Sequence, residues 1–261
     1  MLKLKKAVNL ESLRQPLKSA IATAAAIGAD AIEVNGRTQL RPAEMSRTAV
    51  RHLQKTLSDF NLKIASVHFP TRRGYSVTES LEQRIDATKA AMTMAYELGC
   101  NVVVNQIGRV PEPDSDDWNT MTQALSDIGN HGHRCGAKLA AQTGIDDGEK
   151  LKSLIDHLPI GSLSVDFDPA GLMFHNHIVG DAIKLLAEHV AHVRTRDAVE
   201  DLSQGKRIEV QLGRGSVDWA QLLGMLEEKN YAGYLTVQRD AESESVKQCA
   251  ESLEYLTQLF S

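Results

Sequence analysis

The chain has 261 residues, 42% apolar and 24% charged, with a formal net charge of -5. The apolar share is enough for a sizeable core and excludes a disordered chain. The acidic balance argues against a general nucleic-acid partner.

In chain order, Lys3, Lys5 and Lys6 stand where a secretory leader would carry its charges, but Glu11, Arg14 and Lys18 interrupt any apolar stretch behind them. No apolar run approaches membrane-spanning length, so a cytoplasmic protein without a membrane partner is expected. Ala7 to Leu10 reads as a strand, and Pro16 to Ile27 as an Ala-rich helix stopped by Gly28. Ala31 to Val34 is a strand, and Pro42 to Phe60 a helix with proline in its first turn. Lys63 to Val67 is a strand that runs into His68-Phe69-Pro70, followed by a long helix from Glu79 to Leu98. Asn101 to Asn105 is an apolar run between two asparagines, as expected of a strand buried on both faces.

The second half repeats this order. Asp116 to Arg134 is a helix, Lys138 to Gln142 a strand, and Gly148 to Leu158 a helix. Leu163 to Asp166 is a strand with the loop Phe167-Asp168-Pro169 behind it, and Gly180 to Glu188 a helix. His192 to Thr195 is a strand, Trp219 to Leu226 a helix, Tyr234 to Gln238 a strand, and Glu244 to Phe260 the last helix. Spread over eight strand-helix units, the chain allows about 33 residues each, the size of one βα unit. No composition break divides it, so residues 1 to 261 are expected to form a single (β/α)8 TIM barrel. The rival is a doubly wound open sheet, but no glycine-rich phosphate loop follows the first strand. Cys100, Cys135 and Cys249 lie far apart, which fits free thiols in a reducing compartment.

A parallel barrel builds its site from the C-terminal ends of its strands. The polar residues delivered there are Glu33, His68, Asn105, Gln142, Asp168, Arg194 and Gln238. Arginines crowd the same end: Arg72, Arg73, Arg109, Arg194, Arg196, Arg214 and Arg239. Guanidinium groups grip carboxylates and phosphates through a fixed fork of donors, which suits an anion-attracting mouth. The alternative is internal pairing with Asp197, Asp240, Glu112 and Asp114. His175 and His177 have a spacing that can ligate a metal, but no carboxylate cluster accompanies them. His131 and His133 belong to a helix end away from the mouth.

In several blocks the chain resembles the sugar isomerase/epimerase superfamily with the xylose-isomerase-like barrel. They are Ala31 to Val34, Val67 to Pro70, Glu97 to Asn101, Phe167 to Ala170, Val193 to Asp197, and above all Leu212 to Gln238 with its Gly-x-Gly-x-x-Asp-Trp loop. The resemblance implies a divalent Mn, Mg or Co ion held by a Glu after strand 5, an Asp after strand 6, a His in strand 7 and a Glu after strand 8. It also implies that the two Glu residues move a proton beside a sugar carbonyl. Here Gln142, Arg194 and Gln238 stand at three of those positions, and Asp168 alone is kept. Asn105 replaces a frequent strand-4 His, and Arg214 stands where the glycine loop often carries Glu. Glutamine is no general base near neutral pH, and guanidinium has no lone pair for a metal. No metal or other cofactor is therefore expected, with Asp168 the natural partner of Arg194. The expected function is binding of a sugar, sugar phosphate or sugar acid without metal-assisted proton transfer, with a homo-oligomer left open. The alternative is a metal-independent isomerase or epimerase in which Glu33, His68 or Asp168 exchanges the proton and Arg194 stabilises an oxyanion.

Overall fold

In the computed structural model, residues 5–201, 206–240 and 245–259 are described. Lys5–Asn9 (β1), Ala31–Asn35 (β2), Lys63–His68 (β3), Val102–Asn105 (β4), Lys138–Gln142 (β5), Ser164–Phe167 (β6) and Val190–Thr195 (β7) are parallel barrel strands. Asp197–Asp201 (β8) and Lys206–Val210 (β9) pair only with each other, as an antiparallel ribbon. Tyr234–Val237 (β10) closes the barrel between β7 and β1, so the order round it is β1-β10-β7-β6-β5-β4-β3-β2. The expected eight-stranded barrel is what forms.

The helices are Leu17–Ala26 (α1), Arg47–Asp59 (α2), Leu81–Glu97 (α3), Asp116–Cys135 (α4), Gly148–His157 (α5), Pro169–Phe174 (α6), Val179–Leu186 (α7), Trp219–Glu228 (α8) and Ser245–Leu259 (α9). Ser46, Ser115, Asp147, Asp168 and Asp218 cap their helices by accepting the backbone N–H three residues on. Of the expected loop Phe167-Asp168-Pro169, Phe167 ends β6, Asp168 caps α6 and Pro169 starts it. The β8–β9 ribbon was not expected either. Glu244 and Phe260, the ends of the last expected helix, lie outside the described residues. Among the described residues, no helix is long and apolar enough to cross a membrane.

The main apolar core lies between the strands and the helices, from Leu10, Ile21 and Ile32 round to Leu226, Leu253 and Leu256. Inside the barrel, small apolar clusters, Ala7-Ala31-Ala65 and Val102-Val104-Ala140, fill the N-terminal part. Toward the C-terminal ends the interior turns polar, with Asn9, Glu33, Ser66, Asp166, His192, Arg194 and Thr236 all buried. A buried layer of this kind must satisfy its own charges and hydrogen bonds.

Candidate functional site

The deeper layer is organised by Arg194, which is 0% exposed. Its Nε donates to Asp166 Oδ2 at 2.6 Å, its Nη1 to Glu33 Oε1 at 2.9 Å and its Nη2 to Glu33 Oε2 at 3.3 Å. Nη1 also donates to Gln238 Oε1. Glu33 receives two further hydrogen bonds, from Asn9 Nδ2 and Ser66 Oγ, each at 2.7 Å. Burial pushes the Glu33 carboxyl up, but Arg194 and then His192, His68 and Asn9 outweigh it and hold it at about 2. Burial pulls the Arg194 guanidinium down, and Asp166, Glu33 and Asp168 carry it well above its usual range.

The expected partnership of Arg194 with Asp168 does not form. Asp166 lies opposite His192 in the β6–β7 register, two residues before Arg194, and the long arginine side chain reaches back to that level. Asp168 lies beyond the strand end. Its Oδ1 accepts the Gly171 N–H at 2.9 Å, and its Oδ2 accepts Gln142 Nε2 at 3.0 Å and Arg196 Nη1 at 3.1 Å.

His192 Nδ1 lies 2.6 Å from Asp166 Oδ1, and its Nε2 lies 3.0 Å from Ser66 Oγ and 2.7 Å from Thr236 Oγ1. Ser66, His192 and Asp166 thus have the spacing of a hydrolytic triad. All three are buried, and the Ser66 hydroxyl is engaged by Glu33, so no substrate reaches it. His68, at the end of β3, differs: neither ring nitrogen has a hydrogen-bond partner among the described residues. Burial and then Arg194 pull its imidazole down, against Glu33 and Asp166.

The outer layer is organised by Arg196, a residue the sequence left among seven rim arginines. Arg196 Nη1 holds Asp168, and its Nη2 donates to Asp240 Oδ2 at 2.6 Å and Glu209 Oε2 at 3.1 Å. Burial lowers its guanidinium, but Asp168, Asp240 and Glu209 raise it well above its usual range. Glu209 belongs to β9 and also accepts Arg239 Nη1 at 2.7 Å. The unexpected ribbon therefore brings a carboxylate to the mouth. Gln238 Nε2 donates to Asp240 Oδ1 at 3.2 Å, which joins the two layers.

Gln142, Asp168, Arg194 and Gln238 thus meet in one connected network at the C-terminal end, with Arg196 and Asp240 completing it. Asn105 stands apart, donating to the Phe69 carbonyl at 2.7 Å. Arg72, Arg73, Arg109 and Arg214 are exposed, and Arg73 pairs with Glu79. Of the acids weighed as internal partners, Asp240 holds Arg196, whereas Glu112 takes Lys150. Among the described residues, Asp197 pairs with no arginine. Its carboxylate accepts the N–H groups of Gly213, Gly215 and Val217 at 3.1 to 3.2 Å, and so pins the glycine loop. A Cβ at Gly215 would lie 1.8 Å from Asp197 Oδ1, so only glycine fits there.

A cavity of about 180 Å³ opens beside this network, between the loops after β4, β5 and β6. Gln106, Gln142, Asp146, Asp168, Arg196 and His175 supply its polar wall, and Ile107, Val110, Ile145, Leu151 and Phe174 its apolar wall. His175 and His177 stack with ring centroids 6.5 Å apart, and His177 Nε2 lies 3.2 Å from the Ile145 carbonyl. Among the described residues, no three His, Cys, Asp or Glu side chains gather as a metal site.

Residues 21–259 match the family model described as the xylose isomerase-like TIM barrel. The chain belongs to that family. It is similar to an inosose dehydratase of Clostridium perfringens, 25% identical over 238 residues, with 79% of this chain and 77% of that protein covered. Its fold is similar to that of a xylose isomerase domain protein from Planctomyces limnophilus, with a TM-score of 0.83 at 20% identity over 98% and 97% of the two chains. A D-allulose 3-epimerase from Methylomonas sp., solved in complex with D-allulose, has a TM-score of 0.76 at 15% identity over 99% and 98% of the chains.

Proposed function

We propose that this member of the family binds a sugar-like small molecule at the mouth of the barrel without a divalent metal. The observation that carries the reading is Arg194, a guanidinium clasped by Glu33 and Asp166, at the position where the resemblance implies a strand-7 histidine. Guanidinium cannot ligate a cation, and it already supplies the positive charge that two buried carboxylates require. The remaining donors are spent as well: Gln238 Oε1 accepts from Arg194, and Asp168 Oδ2 from Gln142 and Arg196. The cavity, polar on one wall and apolar on the other, suits a ring that carries hydroxyls on its edge. The names of the similar proteins, an inosose dehydratase and a D-allulose 3-epimerase, support the carbohydrate class.

Two measurements on the purified protein test this. Elemental analysis should return no stoichiometric Mn, Co, Mg or Zn, and saturation-transfer NMR should show contact with D-allulose. One tightly bound divalent ion per chain sinks the metal-free reading.

A second reading, metal-independent isomerisation, is favoured by His68, whose two ring nitrogens lack partners among the described residues. In it, His68 or Asp168 takes a proton from the carbon beside a sugar carbonyl. The electron pair passes to the carbonyl oxygen, and the proton returns to give the isomer or epimer. Glu33 is a poor base here, because it is buried and held at about 2. Solvent deuterium entering D-allulose, and lost on His68→Gln, distinguishes this reading from simple binding.

A further inference from the structure

The loop after β5 carries two adjacent acids, and only one of them is needed to start α5. Asp147 is the cap, its Oδ1 accepting the Lys150 N–H at 2.8 Å. Asp146 instead lines the cavity. Its Oδ2 accepts the Val110 N–H at 2.8 Å, which fixes the carboxylate against the loop after β4. Its Oδ1 has no hydrogen-bond partner among the described residues. The nearest cation is Arg109 Nη1 at 4.0 Å, with a side chain 71% exposed against 8% for Asp146. Water and salt screen a charge so exposed, whereas the carboxylate is screened far less.

We infer that Asp146 contacts the bound molecule and restricts the cavity to uncharged polyhydroxylated ligands, excluding sugar phosphates and sugar acids. This rests on the reading of the cavity as the ligand site. Sugar hydroxyls are donors, and a carboxylate oxygen that faces the cavity with an open lone pair accepts them through charge-assisted hydrogen bonds. An anionic ligand would need a cation to offset Asp146, and the lining offers none with charge to spare. Arg196 is engaged by Asp168, Glu209 and Asp240. Lys150, on the adjoining helix, pairs with Glu112. The groups around Asp146 are thus Arg109, Lys150 and Asp147 on its own side, and Asp168, Arg196 and His175 across the cavity. Burial outweighs the Val110 N–H, Arg109 and Lys150, and raises the carboxyl. The expected anion-attracting mouth becomes, in this reading, an anion-rejecting one.

The experiment measures calorimetric affinities of the wild-type protein and Asp146→Asn at pH 7.5. Neutral probes are D-allulose, D-fructose and myo-inositol. Anionic probes are D-fructose 6-phosphate, myo-inositol 1-phosphate and D-gluconate. The wild type is expected to bind at least one neutral probe and to bind its anionic counterpart at least about tenfold more weakly, since each tenfold corresponds to about 1.4 kcal/mol. Asp146→Asn keeps an oxygen for the Val110 N–H and should bring the two within about threefold. Anionic probes that bind the wild type as tightly as neutral ones overturn the inference while leaving sugar binding intact. So does an unchanged ratio in a folded Asp146→Asn protein. No binding by any probe removes the sugar reading and this inference with it. The wild-type comparison needs no variant, so a misfolded Asn protein does not shelter the claim.

Discussion

Replacing Arg194 by Met removes the guanidinium that pairs with both Glu33 and Asp166, and keeps much of the side chain's bulk. The Glu33 carboxyl is held at about 2 instead of its ordinary 4.5. At about 1.4 kcal/mol per pH unit, that depression corresponds to roughly 3 kcal/mol of stability at neutral pH. Breaking a buried pair by removing one partner costs about 3–5 kcal/mol, so Arg194→Met should lose an amount in that range at pH 7. The pH dependence gives a sharper signature. A depressed carboxyl stabilises the wild type above pH 4.5, and that contribution is lost as pH falls toward 2. Without the guanidinium, burial, the largest influence on that carboxyl, meets less opposition and should raise it, so the variant should lose less stability than wild type as pH falls below 4.5. Urea denaturation followed by circular dichroism between pH 3 and 8 reads both effects. A variant within about 1 kcal/mol of wild type, with an unaltered pH slope, would refute the claim that Arg194 is the charge on which the barrel interior depends.

Installing the donors that the resemblance implies, through the triple substitution Gln142→Glu, Arg194→His and Gln238→Glu, should create Mn binding near one ion per chain by calorimetry; a folded triple variant that binds none would show that these positions do not surround one cation. Gly215→Ala should lower stability by about 1–3 kcal/mol in thermal melts, because the added methyl collides with the Asp197 carboxylate. Native Cys100 and Cys249, buried and pushed up to about 12, should resist iodoacetamide while half-buried Cys135 reacts first. Equal labelling of all three in the folded protein would contradict the packing described.

The barrel was legible because strand and helix periods alternate with little ambiguity, and the strand ends could be read off as Glu33, His68, Gln142, Asp168 and Gln238. The pairing of charges was not legible. Asp166 and Asp168 share a face of one strand path, and only the β6–β7 register shows which of them Arg194 reaches. The β8–β9 ribbon escaped notice because Asp197 to Val210 mixes charged and apolar residues without the strict alternation that marks a strand. With it went Glu209, which engages both Arg196 and Arg239. Asp146 had one faint signal, the Asp146-Asp147 doublet at a helix start where one cap suffices.

The neighbours Arg196 and Asp197 hold two different things. One clasps the acids of the mouth, while the other grips the backbone of the glycine loop. The loop and the acids therefore share a single anchor on one short stretch of chain. Movement of either pulls on the other, and little configurational freedom is left to be lost when a molecule enters. Preorganisation of this kind lowers the ordering cost that a bound molecule would otherwise have to meet.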